Sequence, residues 1–440
     1  MNKKNNPLLF PLRSLKDSAL TTLVSGQGAY VKDSYGNTYL DGISGLWNMP
    51  LGYSHLGIKK SIINQLNEIQ FVNFLDNSNP TTENFAGKLL EITNNAFQKV
   101  MFTCSGSESI ELAVKIARKY QRLKGFSSKY KLAVLDISYH GTTYAAMSAS
   151  GMDSMNTIDC DPKVPGFIML PSPICHCCLT KNMEEKCLNE IIQKIDEIFL
   201  MEGNNIAGVI LEPIVASGGI VELPEKYLNH ISNLCKTYDA LLIFDEVVTG
   251  FGRTGAMFAY QDMKASPNVV CLSKGINNGY IPLGAVLIDS SICDLLELTD
   301  DYIKHFSTQN GNPIACAAGI STVEAIQKDG CINKVKHLGS ILMDELRKKL
   351  LPHKNVIEIR GKGLMIGIAL AENKNTKKQL SFKETLLFET ETKRNGLITF
   401  SFFAEGFTSG LSLLPPFIIN ETDLNKIVST LEVAFSKIEV

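Results

Sequence analysis

Lys274 stands where an apolar run, Val269-Val270-Cys271-Leu272, passes through Ser273 into the loop Gly275-Ile276-Asn277-Asn278-Gly279. A lone lysine just past a strand is ordinarily a surface residue. A partly desolvated one differs, because its pKa falls and the free amine can attack a carbonyl. Ligands of open α/β sheets bind at the carboxyl ends of strands, and Lys274 is placed at one. Asp245 closes a second apolar run, Leu241-Leu242-Ile243-Phe244. A carboxylate there is costly unless it is paired. Its candidate partners are a helix N-terminus, a metal ion, or a protonated ring nitrogen such as a pyridinium.

Two weaker signals sit at other predicted strand ends. Cys104-Ser105-Gly106-Ser107-Glu108 follows a strand and opens a helix. Small residues there let backbone N–H groups and a hydroxyl approach a phosphate. Ser105 with Glu108 three residues later also matches a capping box, and both roles can hold together. Tyr139-His140-Gly141 follows Ala133-Val134-Leu135. An aromatic before glycine can stack on a flat ring or simply pack in the core.

The elements that must position these groups alternate. Strands are predicted at 98–103, 131–136, 206–211, 240–245, 268–272 and 283–288, with helices near 84–96, 107–123, 184–201, 225–238 and 312–328. That order implies a mostly parallel sheet with helices on both faces, and the near-continuous apolar strands fit burial on both sides. Before it, Asp33 to Asn37 reads as a hairpin tip, and 56–75 has helical periodicity. From about 332 the pattern is helix, strands at 358–360 and 365–370, a helix near 381–394, a short strand, and a helix near 421–437. The expected organisation is an N-terminal segment 1–50 joined to a smaller α+β domain 316–440, around a large domain 51–315.

Composition narrows the class. Of 440 residues, 45% are hydrophobic and 20% charged, with a formal net charge of −2. Those are the values of a globular chain, with no electrostatic footprint for nucleic acid or an anionic membrane. No apolar run approaches the roughly 20 residues of a membrane helix. The first ten residues lack the apolar stretch of a signal peptide, so a cytoplasmic location is expected. There is no internal repeat and no low-complexity segment.

Taken in order, the motifs resemble the class-III, or ω-, aminotransferases, pyridoxal-phosphate (PLP) enzymes. The likeness runs from about residue 25 to 440. It rests on Leu46-Trp47 before Gly52-Tyr53, Ser105-Gly106-Ser107-Glu108, Tyr139-His140-Gly141 and Glu212-Pro213. It continues through Asp245-Glu246-Val247-Val248-Thr249-Gly250-Phe251-Gly252-Arg253-Thr254-Gly255, Ser273-Lys274-Gly275, Gly279 to Gly284, and Thr308 with Gly311-Asn312-Pro313. Arg360-Gly361-Lys362-Gly363-Leu364 and Pro415-Pro416 close it. The run from Asp245 to Gly255, with a lysine 29 residues after the Asp, is the most specific mark.

The resemblance implies the PLP-dependent transferase (aspartate-aminotransferase-like) fold and ping-pong amino transfer. It makes Lys274 the Schiff-base lysine and proton carrier, and Asp245 the partner of the pyridinium. It places Val247 behind the ring and Tyr139 in front, with His140 and Glu212 beside the cofactor and Gly106 and Ser107 cradling the phosphate. Thr308 would reach the phosphate of a partner subunit's cofactor, which implies a homodimer with shared sites. Trp47 would wall the substrate pocket. Arg253 is read as structural.

Three features depart from the pattern or add to it. Phe400, in Gly396-Leu397-Ile398-Thr399-Phe400, occupies the position where many members carry an arginine for the substrate carboxylate. An aromatic cannot pair a carboxylate. At least one substrate is therefore expected to lack one near the reacting carbon: a simple amine, an aminoketone or the modified end of a peptide. Val248 stands where many relatives have glutamine, a lean toward alanine or pyruvate coupling. Cys175 and Cys178 have zinc-knuckle spacing, with Cys187 nearby, but the second ligand pair is missing and no metal is expected. An aminomutase or decarboxylase of the same fold would use the same Lys274 and Asp245. A non-catalytic PLP-binding protein has no need of lysine, aspartate, phosphate cradle and stacking tyrosine together.

Overall fold

A computed structural model describes residues 7–12, 20–152, 160–174 and 185–438. Among them, seven strands form the central sheet. Their spatial order is Lys99–Thr103, Gly284–Ile288, Val269–Leu272, Leu241–Asp245, Ile206–Leu211, Lys131–Leu135 and Phe167–Leu170. Gly284–Ile288 is antiparallel to both neighbours, and the other pairings are parallel. The inner strands are largely apolar because both faces are buried. Leu241 and Ile243 pack into one core with Leu132, Val134 and helix Gly106–Leu123. Leu242 and Phe244 face the other, with Leu135, Val209 and Leu272. The period of two thus divides one continuous run between two cores.

A second sheet is antiparallel, in the order Val356–Lys362, Met365–Leu370, Thr408–Leu413, Phe400–Ala404. Helices Cys331–Leu350, Phe382–Arg394 and Glu421–Ser436 pack around it. The N-terminal strands Leu23–Gln27, Tyr30–Asp33 and Thr38–Asp41 join Leu397–Ile398 in a third sheet, with Leu397 opposite Leu40. Strands from the first fifty residues and from near residue 400 therefore share hydrogen bonds. No described helix is long and apolar enough to cross a membrane.

The structure differs from the expected elements in several places. The helix expected over 56–75 ends at Glu68, where Ile69 turns to extended φ and Gln65 Nε2 donates to the Ile69 carbonyl (2.9 Å). Strands Phe167–Leu170 and Thr408–Leu413 and helix Ser290–Leu298 are additional to the expected elements. Cys175 and Cys178, with His176 and Cys177, lie outside the described residues. Among the described residues, no group of three or more His, Cys, Asp and Glu side chains is arranged to hold a metal ion.

Arg253 ties the layers together. It is 2% exposed. Nη1 donates to the carbonyls of Pro415 (2.6 Å) and Leu364 (3.2 Å), and Nη2 to Ser44 Oγ (3.2 Å). Its guanidinium also lies 4.6 Å from the centroid of the Phe417 ring. Three segments from distant parts of the chain converge on this side chain. Arg253→Met keeps much of the volume but orphans the buried carbonyls, at about 1–3 kcal/mol for each unsatisfied group. The expected outcome is a thermal unfolding midpoint several degrees below wild type. An unchanged midpoint would show that water satisfies those carbonyls.

Candidate active site

Five strands of the central sheet deliver the groups singled out in the sequence to one edge. Asp245 is the last residue of its strand, and Glu212 follows Ile206–Leu211. Lys274 opens a short 3-10 turn two residues after Leu272, with φ +40°. Tyr139 and His140 follow Lys131–Leu135, and Ser105 caps the helix after Lys99–Thr103. Together they line a cavity of about 130 Å³ with Gly106, Ser107, Gly141, Ser217, Val247, Val248 and Ser273.

The charges are arranged around Asp245. Its Oδ1 accepts from the Val247 amide (3.0 Å), and Oδ2 lies 2.7 Å from His140 Nδ1. Burial works against a charged His140, but the hydrogen bond and charge of Asp245 outweigh it and raise the imidazole pKa. The His140 amide donates to Ser150 Oγ (2.9 Å), while Nε2 is buried with no hydrogen-bond partner among the described residues. Glu212 accepts from the amides of Tyr139 (3.2 Å) and Ala216 (2.9 Å). Burial pushes its carboxyl up to about 7, opposed by His140 and reinforced by the charge of Asp245. Burial lowers the Lys274 amine below an ordinary lysine, and Asp245 and Glu212 only partly offset it. A buried amine of depressed pKa beside a fixed carboxylate is the arrangement nucleophilic amine chemistry needs.

The residues present fit PLP. Ser105 Oγ accepts from the Glu108 amide (3.2 Å), and Glu108 Oε2 reaches back to the Cys104 amide (2.7 Å). The helix that opens at Gly106 thus presents free amides to an anion. A Cβ at Gly106 would come within 3.1 Å of Val247 Cγ1, and one at Gly141 within 2.1 Å of Ser107 Oγ. Both glycines keep the cavity open. Asp245 and Lys274 are the groups that would meet a ring nitrogen and an aldehyde.

Trp47 and Phe400 are not among the residues lining the cavity: Trp47 lies against Lys274 and Phe400 against Trp47. Lys274 Nζ is 5.8 Å from the centroid of the Trp47 ring, and the Trp47 and Phe400 rings meet edge to face at 5.6 Å. Thr308 is exposed, in a turn outside the cavity. Ser217 lines the cavity without a motif of its own beyond the adjacent Gly218-Gly219. Glu246, beside Asp245 in sequence, turns away from the cavity. It is fully buried and accepts from the Thr249 hydroxyl and from the amides of Ala259 (3.1 Å) and Tyr260 (2.7 Å).

The sequence profile of the family described as Aminotransferase class-III matches residues 14–435. The chain is 34% identical over 417 residues to the uncharacterised aminotransferase YhxA of Bacillus subtilis (strain 168), covering 94% of this chain and 91% of that protein. It is 34% identical over 381 residues to an adenosylmethionine-8-amino-7-oxononanoate aminotransferase of Staphylococcus aureus (strain NCTC 8325 / PS 47), covering 85% and 83%. Among solved structures, an amine transaminase from an uncultivated Pseudomonas species in its PLP-bound form superposes with a TM-score of 0.91 at 28% identity, covering 98% of this chain and 99% of that one.

Glu246 makes the pH dependence of stability testable. Burial, the largest influence, pushes its carboxyl from 4.5 up to about 7. Between those values the folded chain holds a proton that the unfolded chain has released, so stability falls as pH rises through the window. Glu246→Gln cannot ionise and lacks that fall. Relative to wild type, its unfolding midpoint should improve between about pH 5 and about pH 7.5. A difference independent of pH would mean that Glu246 titrates normally in the fold.

Proposed function

The chain belongs to the class-III aminotransferases, which are PLP-dependent, and from that premise we propose that at least one of its substrates carries no carboxylate near the reacting carbon. The observation that carries this reading is the aromatic wall of Trp47 and Phe400 beside Lys274. Carboxylate recognition wants a bidentate arginine. Arg253 is held as described above. Arg360 is spent on the Gly219 carbonyl (2.9 Å), Glu358 (2.8 Å) and Thr408 (3.2 Å). Among the described residues, Lys274 and His140 are the only basic side chains lining the cavity, and His140 is paired with Asp245.

When bound, PLP supplies an electron sink for the pair released at the carbon bearing nitrogen. The protein's part falls to named groups. Lys274 would hold the cofactor through its aldehyde with loss of water and, once the donor's amine has displaced it, would take and return the proton as general base and acid. Asp245, fixed by His140 and the Val247 amide, would pair with the ring nitrogen. Val247 and Tyr139 would confine the ring, and the amides at Gly106 and Ser107 would bind the phosphate. Glu212, holding the Tyr139 and Ala216 amides, fixes the two loops that flank the ring. A ping-pong order follows, because donor and acceptor use the same Lys274 side of the cavity in turn.

A homodimer belongs to this reading. Segment 56–75 leaves Leu56, Ile63, Leu66, Ile69, Phe71 and Leu75 exposed. It lies against the turn that carries Thr308, with Asn312 Nδ2 donating to the Gln70 carbonyl (3.3 Å). An apolar surface beside an exposed Thr308 supports a second copy seated there, with Thr308 reaching its phosphate.

An absorbance-coupled donor panel tests the substrate reading. It would compare alanine, glutamate and taurine with simple amines, and ketoacids with 8-amino-7-oxononanoate, whose ketone lies far from its carboxylate. Carboxylate-free amines should exceed amino acids in kcat/KM. Phe400→Arg should raise kcat/KM for amino acids by about 10- to 100-fold, the worth of a charged hydrogen-bond pair. Lys274→Ala should abolish turnover. If Phe400→Arg gains nothing with any amino acid, Phe400 is not what excludes them.

A further inference from the structure

Trp47 is held in an unusual backbone. Its φ is +63°, and Ser44 (+50°) and Gly45 (+73°) in the same short turn are also left-handed. Such angles are costly for side chains with a Cβ and persist only where the surroundings impose them. The indole does not impose them, because its Nε1 is buried with no partner among the described residues. The constraint lies behind the turn. Asp41, 1% exposed, accepts from the Ile43 amide at Oδ1 (3.0 Å), and from the Gly45 amide (2.6 Å) and the Tyr53 hydroxyl (2.8 Å) at Oδ2. Ser44 Oγ donates to the Leu414 carbonyl (2.7 Å) and accepts from Arg253. The Asp41 backbone is itself fixed, since its amide donates to the Ala29 carbonyl (2.8 Å).

We propose that Asp41 is the positioning residue for donor size: its carboxylate gathers the Ile43 and Gly45 amides and the Tyr53 hydroxyl, and so sets the turn that aims Trp47 at Lys274 and Phe400. Asp41 touches neither cofactor nor substrate and acts through Trp47. The inference rests on the reading of Trp47 as a wall of the substrate pocket. It extends that reading to the group that decides where the wall stands.

Trp47 is the only tryptophan in the chain, so the emission of the PLP-loaded enzyme reports this one side chain. Asp41→Asn is isosteric but faces the donors with an amide nitrogen. Its Trp47 emission should move to the red and become more accessible to acrylamide. The kcat/KM ratio of 1-phenylethylamine to isopropylamine should rise by about ten-fold, a size expected when a wall is misplaced by a fraction of an ångström. Tyr53→Phe removes one of the three donors, is the milder change should Asp41→Asn fail to fold, and should move both readouts the same way by less. Trp47→Phe confirms the source of the emission. If either folded variant loses thermal stability but keeps wild-type emission and donor ratio, Asp41 is merely structural and the proposal falls. If wild type accepts neither amine, the substrate reading fails on its own, and the emission still decides the role of Asp41.

Discussion

A buried carboxylate at the end of an apolar strand is the constraint from which the site is built. Asp245 sits where a carboxylate is costly unless it is hydrogen-bonded. It accepts from one amide and lies against a histidine that is itself buried, with its backbone amide on Ser150. Around it, His140 Nε2 has no partner among the described residues, and burial, reinforced by the charge of Asp245, pushes the Glu212 carboxyl up. Placed among low-dielectric strands, that single charge depresses nothing and steers much. It raises His140 and opposes the desolvation of Lys274. A pyridinium is the ligand that relieves this balance most directly.

Legibility in the sequence followed the reach of each interaction. Lys274, Asp245, Ser105 and Tyr139 were readable because each follows an apolar run that needs no distant partner to be recognised as a strand. The sheet was readable for the same reason. Thr408–Leu413 was not: Thr408-Ser409-Gly410-Leu411-Ser412 has weak strand character, yet it is buried throughout. Gly410 there faces the Ile368 carbonyl, and a Cβ would stand 2.0 Å from it. That requirement belongs to a neighbour far away in the chain. Glu246 illustrates the same limit at short range. Two acids stand side by side, and only the fold of residues 255–260 shows that one faces the cavity and the other anchors the loop.

Arg253, read as structural from the sequence, and Arg360 are both buried. Their hydrogen bonds go to carbonyls and side chains of the scaffold. Such arginines make backbone segments converge, and their planar donors suit that task because several acceptors are met at fixed angles. Among the described residues, no arginine lines the cavity beside Asp245.

The pairing of Leu397 with Leu40 has a consequence for the order in which the site is completed during synthesis. The turn bearing Trp47 leaves the ribosome early. Its partners, the Leu397–Ile398 strand, Phe400 and the carbonyls of Leu414 and Pro415, are made nearly last. The strands that carry Asp245 and Lys274 are complete long before. The nascent chain thus completes the strand ends around Asp245 and Lys274 while the turn bearing Trp47 still lacks its C-terminal supports.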